Sequence, residues 1–266
     1  GTLEKTESGA FILKADDPRM YAKIRIALDA VNGATEGDKV VAHLERWENA
    51  KADPVGHVVR TLGRAGAHET EMQAALATHG FVPDFPLDVL REANELEKKP
   101  AITDAEIAVR RDFRAVPTMT IDPKDAKAFD DALSVRTLEN GDYEIGIHIA
   151  DVTHYVRPGT ALDSEGARRA TSVYLVDRTI PMLPEVLSND LCSLKPNVDR
   201  LAFSAVFTMD AQAHIQEWWF GRTVIHSARR YTYEDAQETL NKNAGDFKDE
   251  LKTLERLGHK FRAKRE

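Results

Sequence analysis

TIDPKDAKAFDDAL, residues 120–133, follows an apolar, strand-like run and carries Asp122, Asp125, Asp130 and Asp131 within ten positions. Carboxylates this close repel one another and gain affinity for protons unless solvent or a hard cation neutralises them. Two readings are open on these residues alone: a solvated acidic turn, and a divalent metal site. If a metal is held, the donors are carboxylate oxygens, since the nearest histidine in sequence is His148 and the one cysteine is Cys192. Such donors select Mg²⁺ or Mn²⁺ over Zn²⁺. An EF-hand is excluded, because counting from Asp122 puts Lys127 where the calcium loop needs glycine and Leu133 where it needs glutamate.

Outward from this motif, the runs YEIGIHIA (143–150) and LAFSAVFTM (201–209) alternate apolar and polar residues and predict strands. The region after residue 214 reads as a strand passing into helices. On the N-terminal side, ETEMQAALATHG (69–80) and PLDVLREANELEKK (86–99) predict helices punctuated by Gly80 and Pro86. Before them, AFILKA, YAKIRIA, KVVAHLERW and VGHVVRTLG are short β-like runs separated by turn residues such as DDP and NGATEGD, the pattern of a small barrel. Phe11 and Tyr21 lie on these runs, where an aromatic side chain serves the core or stacks on bases.

The chain has 266 residues, 42% of them apolar, enough for one large or two modest domains. No apolar run approaches the roughly 20 residues of a membrane span. The N-terminus has no basic segment followed by an apolar one, and a lone cysteine excludes an internal disulfide framework. A cytoplasmic location without membrane partners is expected. The net charge of −8 lacks the basic footprint of a nucleic-acid binder, yet an internal groove can hold the positive charge while the outer surface stays acidic. Basic pairs at Arg110 and Arg111, Arg168 and Arg169, and Arg229 and Arg230 are read either as solvated faces or as phosphate contacts.

The 120–133 segment resembles the signature of the RNB catalytic domain of the ribonuclease II and ribonuclease R family, approximately TIDxxDAxDFDDA. Two further blocks, residues 146–175 and 180–204, resemble the family's next segments in the same order. The resemblance implies an α+β chain: a small cold-shock or OB-like β-barrel over 1–65, a helical connector over 66–105, and the N-terminal part of a mixed α+β RNB domain over 106–266. It implies processive 3′→5′ hydrolysis of single-stranded RNA to nucleoside 5′-monophosphates, with Mg²⁺ as cofactor and Mn²⁺ as its possible substitute. Asp122, Asp130 and Asp131 match three of four family aspartates and are expected to hold metal, with Asp130 catalytic. At the fourth position stands Ala128, so weakened catalysis is expected, from either an engineered or a natural change. Tyr174 matches a family tyrosine that stacks on a base near the 3′ end.

The family's remaining RNB segment, its phosphate-binding arginine and glutamate, and an S1 barrel are expected in a full-length protein, and this chain alone is expected to be inactive. A non-catalytic RNA-binding module is the principal alternative, and a hydrolase of another nucleic acid is a third. His148 and Asp151 read as a core-satisfied strand histidine and its neighbour rather than acid/base catalysts, and Cys192 as a buried apolar residue.

Overall fold

A computed structural model describes residues 1–47, 49, 52–99 and 102–265 of the chain. The architecture is α+β, in two compact units: Gly1–Phe85 with Tyr174–Ile180, and Pro86–Val173 with Pro181–Glu266.

In the first unit, β1 (Thr2–Lys5), β2 (Phe11–Lys14), β3 (Ile24–Ile26), β4 (Asp38–Arg46) and β5 (Val55–Arg64) close into a barrel in the order β1-β2-β3-β5-β4. Alternation along the strands sends Leu3, Phe11, Leu13, Ile24, Ile26, Val40 and Val58 inward as one core. Gly56 is needed on β5, since a Cβ there would lie 2.5 Å from the His43 carbonyl oxygen of β4. Helix α1 (His68–Thr78) follows the barrel, and its Glu71 takes Lys39 of β4 in a 2.8 Å ion pair.

The second unit opens with α2 (Leu87–Glu97) and the short α3 (Asp104–Ala108). Its sheet is built from β6 (Arg111–Asp112), β7 (Thr118–Asp122), β8 (Asp131–Thr137) and β9 (Tyr143–Ala150), which has the bounds that alternation predicts. Then come α4 (Val152–Tyr155), α5 (Ala161–Arg169) and a two-stranded hairpin of β10 (Val173–Tyr174) and β11 (Thr179–Ile180), whose residues 174–180 cluster with the first unit. The last elements are β12 (Asp199–Met209), β13 (Ile215–His226), β14 (Arg229–Thr232), α6 (Tyr233–Lys242) and α7 (Lys248–Arg265).

Sheet order is β14-β7-β8-β9-β12-β13-β6, with only the two outer pairs parallel. On one face, Val135, Ile145 and Met209 pack with Leu257 of α7, and Met119 and Tyr231 pack with Ala236 of α6 and Leu251 of α7. The opposite face buries a polar row across four strands: His148 of β9 contacts Ser134 of β8 at 2.8 Å and Ser204 of β12 at 2.7 Å, and Ser204 reaches Thr223 of β13 at 2.6 Å. Gly146 makes room for this row, because a Cβ there would stand 2.4 Å from the Ser134 Oγ and 2.6 Å from the His148 Nε2. Among the described residues, no helix is long and apolar enough to cross a membrane.

Candidate active site

The acidic motif lies where the β7–β8 ladder ends. That ladder holds two residue pairs, Thr118 with Ser134 and Met119 with Leu133. Beyond them β7 continues beside β14, with Asp122 opposite Thr232, while β8 begins at Asp131 opposite Ile149 of β9. The chain therefore leaves the sheet at Asp122, crosses residues 123–130, and re-enters at Asp131 at the same end of the sheet.

Contacts with chain segments distant in sequence pin this crossing. The Phe129 amide donates to the Ser193 hydroxyl at 3.0 Å, and the Phe129 carbonyl accepts from the Leu194 amide at 2.8 Å. The Ala150 amide donates to the Asp130 carbonyl at 2.9 Å. Arg230 of β14 donates through Nη2 to the carbonyls of Pro123 at 2.6 Å and Lys124 at 3.0 Å, and its guanidinium lies 5.5 Å from the Phe129 ring centre. Ser193 follows a π-helical turn, Val186–Leu191, and Arg200 fixes the segment by donating to the Ser193 carbonyl at 2.9 Å and pairing with Asp190 at 3.2 Å.

The carboxylates sit in unequal environments. Asp122 is buried and its Oδ2 has no hydrogen-bond partner. Burial, reinforced by the charges of Asp131 and Asp130, raises its pKa, with the neighbouring Thr120 hydroxyl and then the Arg230 charge opposing. Asp130 opens to solvent from a protein-crowded position, and its reduced hydration, together with the Asp131 charge, pushes its pKa up as well. Asp131 is exposed, as is Asp125; Ala128 is half-buried between Lys127 and Phe129. An orphaned buried oxygen and crowded carboxylates suit a hard cation in donor type and charge. Among the described residues, no three His, Cys, Asp or Glu side chains already converge at ligating distance.

The other candidates resolve individually. His148 is fully buried, and burial pulls its pKa down to about 4, so the ring is neutral and structural. Asp151 forms a buried ion pair with Arg110 at 2.7 Å. Cys192 is buried, its thiol pushed up to about 12 chiefly by burial. The basic pairs are engaged inside the protein: Arg111 with Glu144 at 2.6 Å, Arg168 and Arg169 with Glu165 at 2.5 and 2.7 Å, and Arg229 with Asp246 at 2.5 Å. Arg110 and Arg169 are the buried members, and Arg230 clamps the acidic loop.

Tyr174 is 79% exposed on the hairpin, which Arg178 ties to Glu69 of α1 at 2.7 Å. Of the two readings open for Phe11, the structure gives the core: it points into the barrel, because its position on β2 is an inward one. Tyr21 is 75% exposed and neighbours Trp47 at 5.9 Å between ring centres, an aromatic pair that sequence reading missed although Trp47 ends the run KVVAHLERW. Sequence reading also missed Ser193 and the clamping role of Arg230, whose partners are backbone groups and leave no signature in the order of residues.

Comparison with known proteins agrees with this arrangement. Residues 110–266 match the RNB domain family and residues 12–86 match the cold shock domain family. The exosome complex exonuclease RRP44 of Homo sapiens is 41% identical over 233 residues, 86% of this chain and 24% of that protein. Ribonuclease R of Thermotoga maritima is 38% identical over 227 residues, 85% of this chain and 32% of that protein. Among solved structures, Mycoplasma genitalium RNase R in complex with double-stranded RNA superimposes with a TM-score of 0.89 at 26% identity, over 100% of this chain and 47% of that one. The chain thus spans about a quarter to a third of the length of these curated relatives. With the RNB match covering more than half of its residues, and with the acidic loop and both following blocks inside that match, the chain belongs to the RNB domain family.

Proposed function

We propose that this chain carries the carboxylate side of the active site of a 3′→5′ exoribonuclease that degrades single-stranded RNA processively to nucleoside 5′-monophosphates. The observation that carries the reading is the acidic loop itself: Asp122, with a buried Oδ2 lacking a hydrogen-bond partner, shares one end of the sheet with Asp130 and Asp131 on a backbone clamped from two strands, β14 and β9, and from the Ser193 segment. RNA as the substrate class rests on family membership and on the RNA complex of the ribonuclease R neighbour.

Asp122, Asp130 and Asp131 would hold Mg²⁺, with Mn²⁺ as a substitute, through hard oxygen donors. When bound, the metal supplies Lewis acidity and lowers the pKa of attacking water. The chain's own residues hold the carboxylates apart from competing partners: the Ser193, Leu194 and Ala150 contacts occupy the loop backbone and leave the acids free to ligate. Asp130 is the catalytic carboxylate in this reading, and Tyr174, exposed on its hairpin, stacks on a base. A remaining RNB segment and an S1 domain supply the rest of the machinery in a longer protein.

Ala128 favours one second reading, an RNA-binding module with impaired hydrolysis, because the family pattern has a fourth aspartate there. The deciding experiment follows end-labelled single-stranded RNA with Mg²⁺, using a protein extended past residue 266 with Ala128 or with Ala128→Asp. Stepwise shortening from the 3′ end by the Ala128→Asp variant, and little by the parent, establishes the exoribonuclease. RNA bound but left whole by both supports the second reading.

A further inference from the structure

Of the six arginines in the sequence's basic pairs, Arg230 alone is turned onto the acidic loop. Its register on β14, opposite Thr120 of β7, places the guanidinium over residues 123–129. There it makes two hydrogen bonds from one nitrogen to consecutive carbonyls, Pro123 at 2.6 Å and Lys124 at 3.0 Å, and covers the Phe129 ring at 5.5 Å. Pro123 directly follows Asp122, and Phe129 directly precedes Asp130. One side chain therefore grips the loop beside both flanking acids. Its Nε is buried without a hydrogen-bond partner, a cost that the two charge-assisted bonds and the ring contact outweigh.

We propose that Arg230 is a positioning residue for cation binding: it fixes the spacing of Asp122 and Asp130 by clamping both ends of the loop between them. The proposal rests on the reading of these acids as metal ligands. It makes a directional claim against simple electrostatics. A guanidinium near a cation site repels the cation, so by charge alone its removal would tighten binding. As a clamp, its removal loosens binding, because the carboxylates then have to be ordered when the metal arrives. Lysine keeps the charge but is shorter and has no planar guanidinium to lie over the Phe129 ring, so it cannot reach the Pro123 and Lys124 carbonyls and cover Phe129 together, and it restores little of the clamp.

The test uses the 266-residue chain and Mn²⁺ alone as the probe, with binding followed by electron paramagnetic resonance in the parent, Asp122→Asn, Arg230→Lys and Arg230→Met. Limited trypsin digestion without metal, scored at Lys124 and Lys127, reports loop order separately, and the urea midpoint reports global stability. The expected result is on the order of tenfold weaker Mn²⁺ binding in both Arg230 variants. Cleavage at Lys124 and Lys127 becomes several-fold faster, while the urea midpoint stays near that of the parent. Unchanged or tighter Mn²⁺ binding by Arg230→Met, in a protein where Asp122→Asn does lose Mn²⁺, overturns the clamp and leaves the metal reading intact. Mn²⁺ binding that is indifferent to Asp122→Asn overturns both.

Discussion

The Phe129 amide donates to the Ser193 hydroxyl across 64 residues of sequence, at 3.0 Å, and this bond places the peptide next to Asp130. Ser193 is itself fully buried and backed by Arg200 on its carbonyl. The acidic loop is thus held by a segment that carries no acid of the motif.

Ser193→Ala leaves the Phe129 amide without its acceptor at a part-buried site. A lost partner of that kind costs about 1–3 kcal/mol. Urea unfolding should register a loss in that range, together with weaker Mn²⁺ binding. A variant with wild-type stability would show that the hydroxyl is dispensable.

Asp130→Asn, in an extended protein that carries Ala128→Asp, should lower the rate of RNA hydrolysis by about 10²-fold or more, the scale of removing one transition-state-stabilising group. The urea midpoint should hold or rise slightly, since Asn removes the repulsion from Asp131 that helps raise the Asp130 pKa. Retention of most activity in a single-turnover assay would assign the catalytic role elsewhere.

His148 makes stability fall in acid. Its pKa is about 4 in the folded chain against 6.5 when exposed, because burial disfavours the charged ring. Between those values the unfolded chain binds more protons, so stability is full above pH 6.5 and is lost as pH falls toward 4. The loss attributable to this residue is about 2 kcal/mol at pH 5 and about 3 kcal/mol at pH 4. Chemical denaturation at about pH 7, 6 and 5 measures it, and His148→Gln should remove that part of the slope. An equal slope in both proteins would place the acid sensitivity in other groups.

Asp151→Asn should be among the most damaging single changes in the second unit. Arg110 and Asp151 are buried together at 2.7 Å, and losing Asp151 leaves the Arg110 charge only its part-exposed partner Glu106 at 3.2 Å, at about 3 kcal/mol, the lower end of the cost of breaking a buried pair. Arg110→Met with Asp151→Leu should recover part of that loss, since an apolar pair of similar volume is tolerated where a lone charge is not. A double variant worse than the single would mean that the pair does more than neutralise itself.

Much of the framework is legible in the order of residues because its signals are local. Alternation along YEIGIHIA marks β9 with its observed bounds, since side chains on a strand alternate between buried and exposed faces. Turn residues between short β-like runs mark the barrel, and the density of aspartates marks the loop between β7 and β8. The basic pairs are legible as residues but not as roles. A pair of adjacent arginines on a strand points to opposite faces, so Arg229 meets Asp246 while Arg230 meets the loop.

Residue type and spacing suffice for the longer strands and helices, the identity of the acids and the alanine at position 128, and three ordered blocks carry the resemblance to the family. Folding settles the rest: which acid is buried, that Phe11 belongs to the barrel core while Tyr21 faces solvent beside Trp47, and that Ser193 and Arg230 hold the acidic loop. These properties depend on hydration and on bonds to backbone groups 64 to 107 residues away, which exist only once the sheet has brought its strands together.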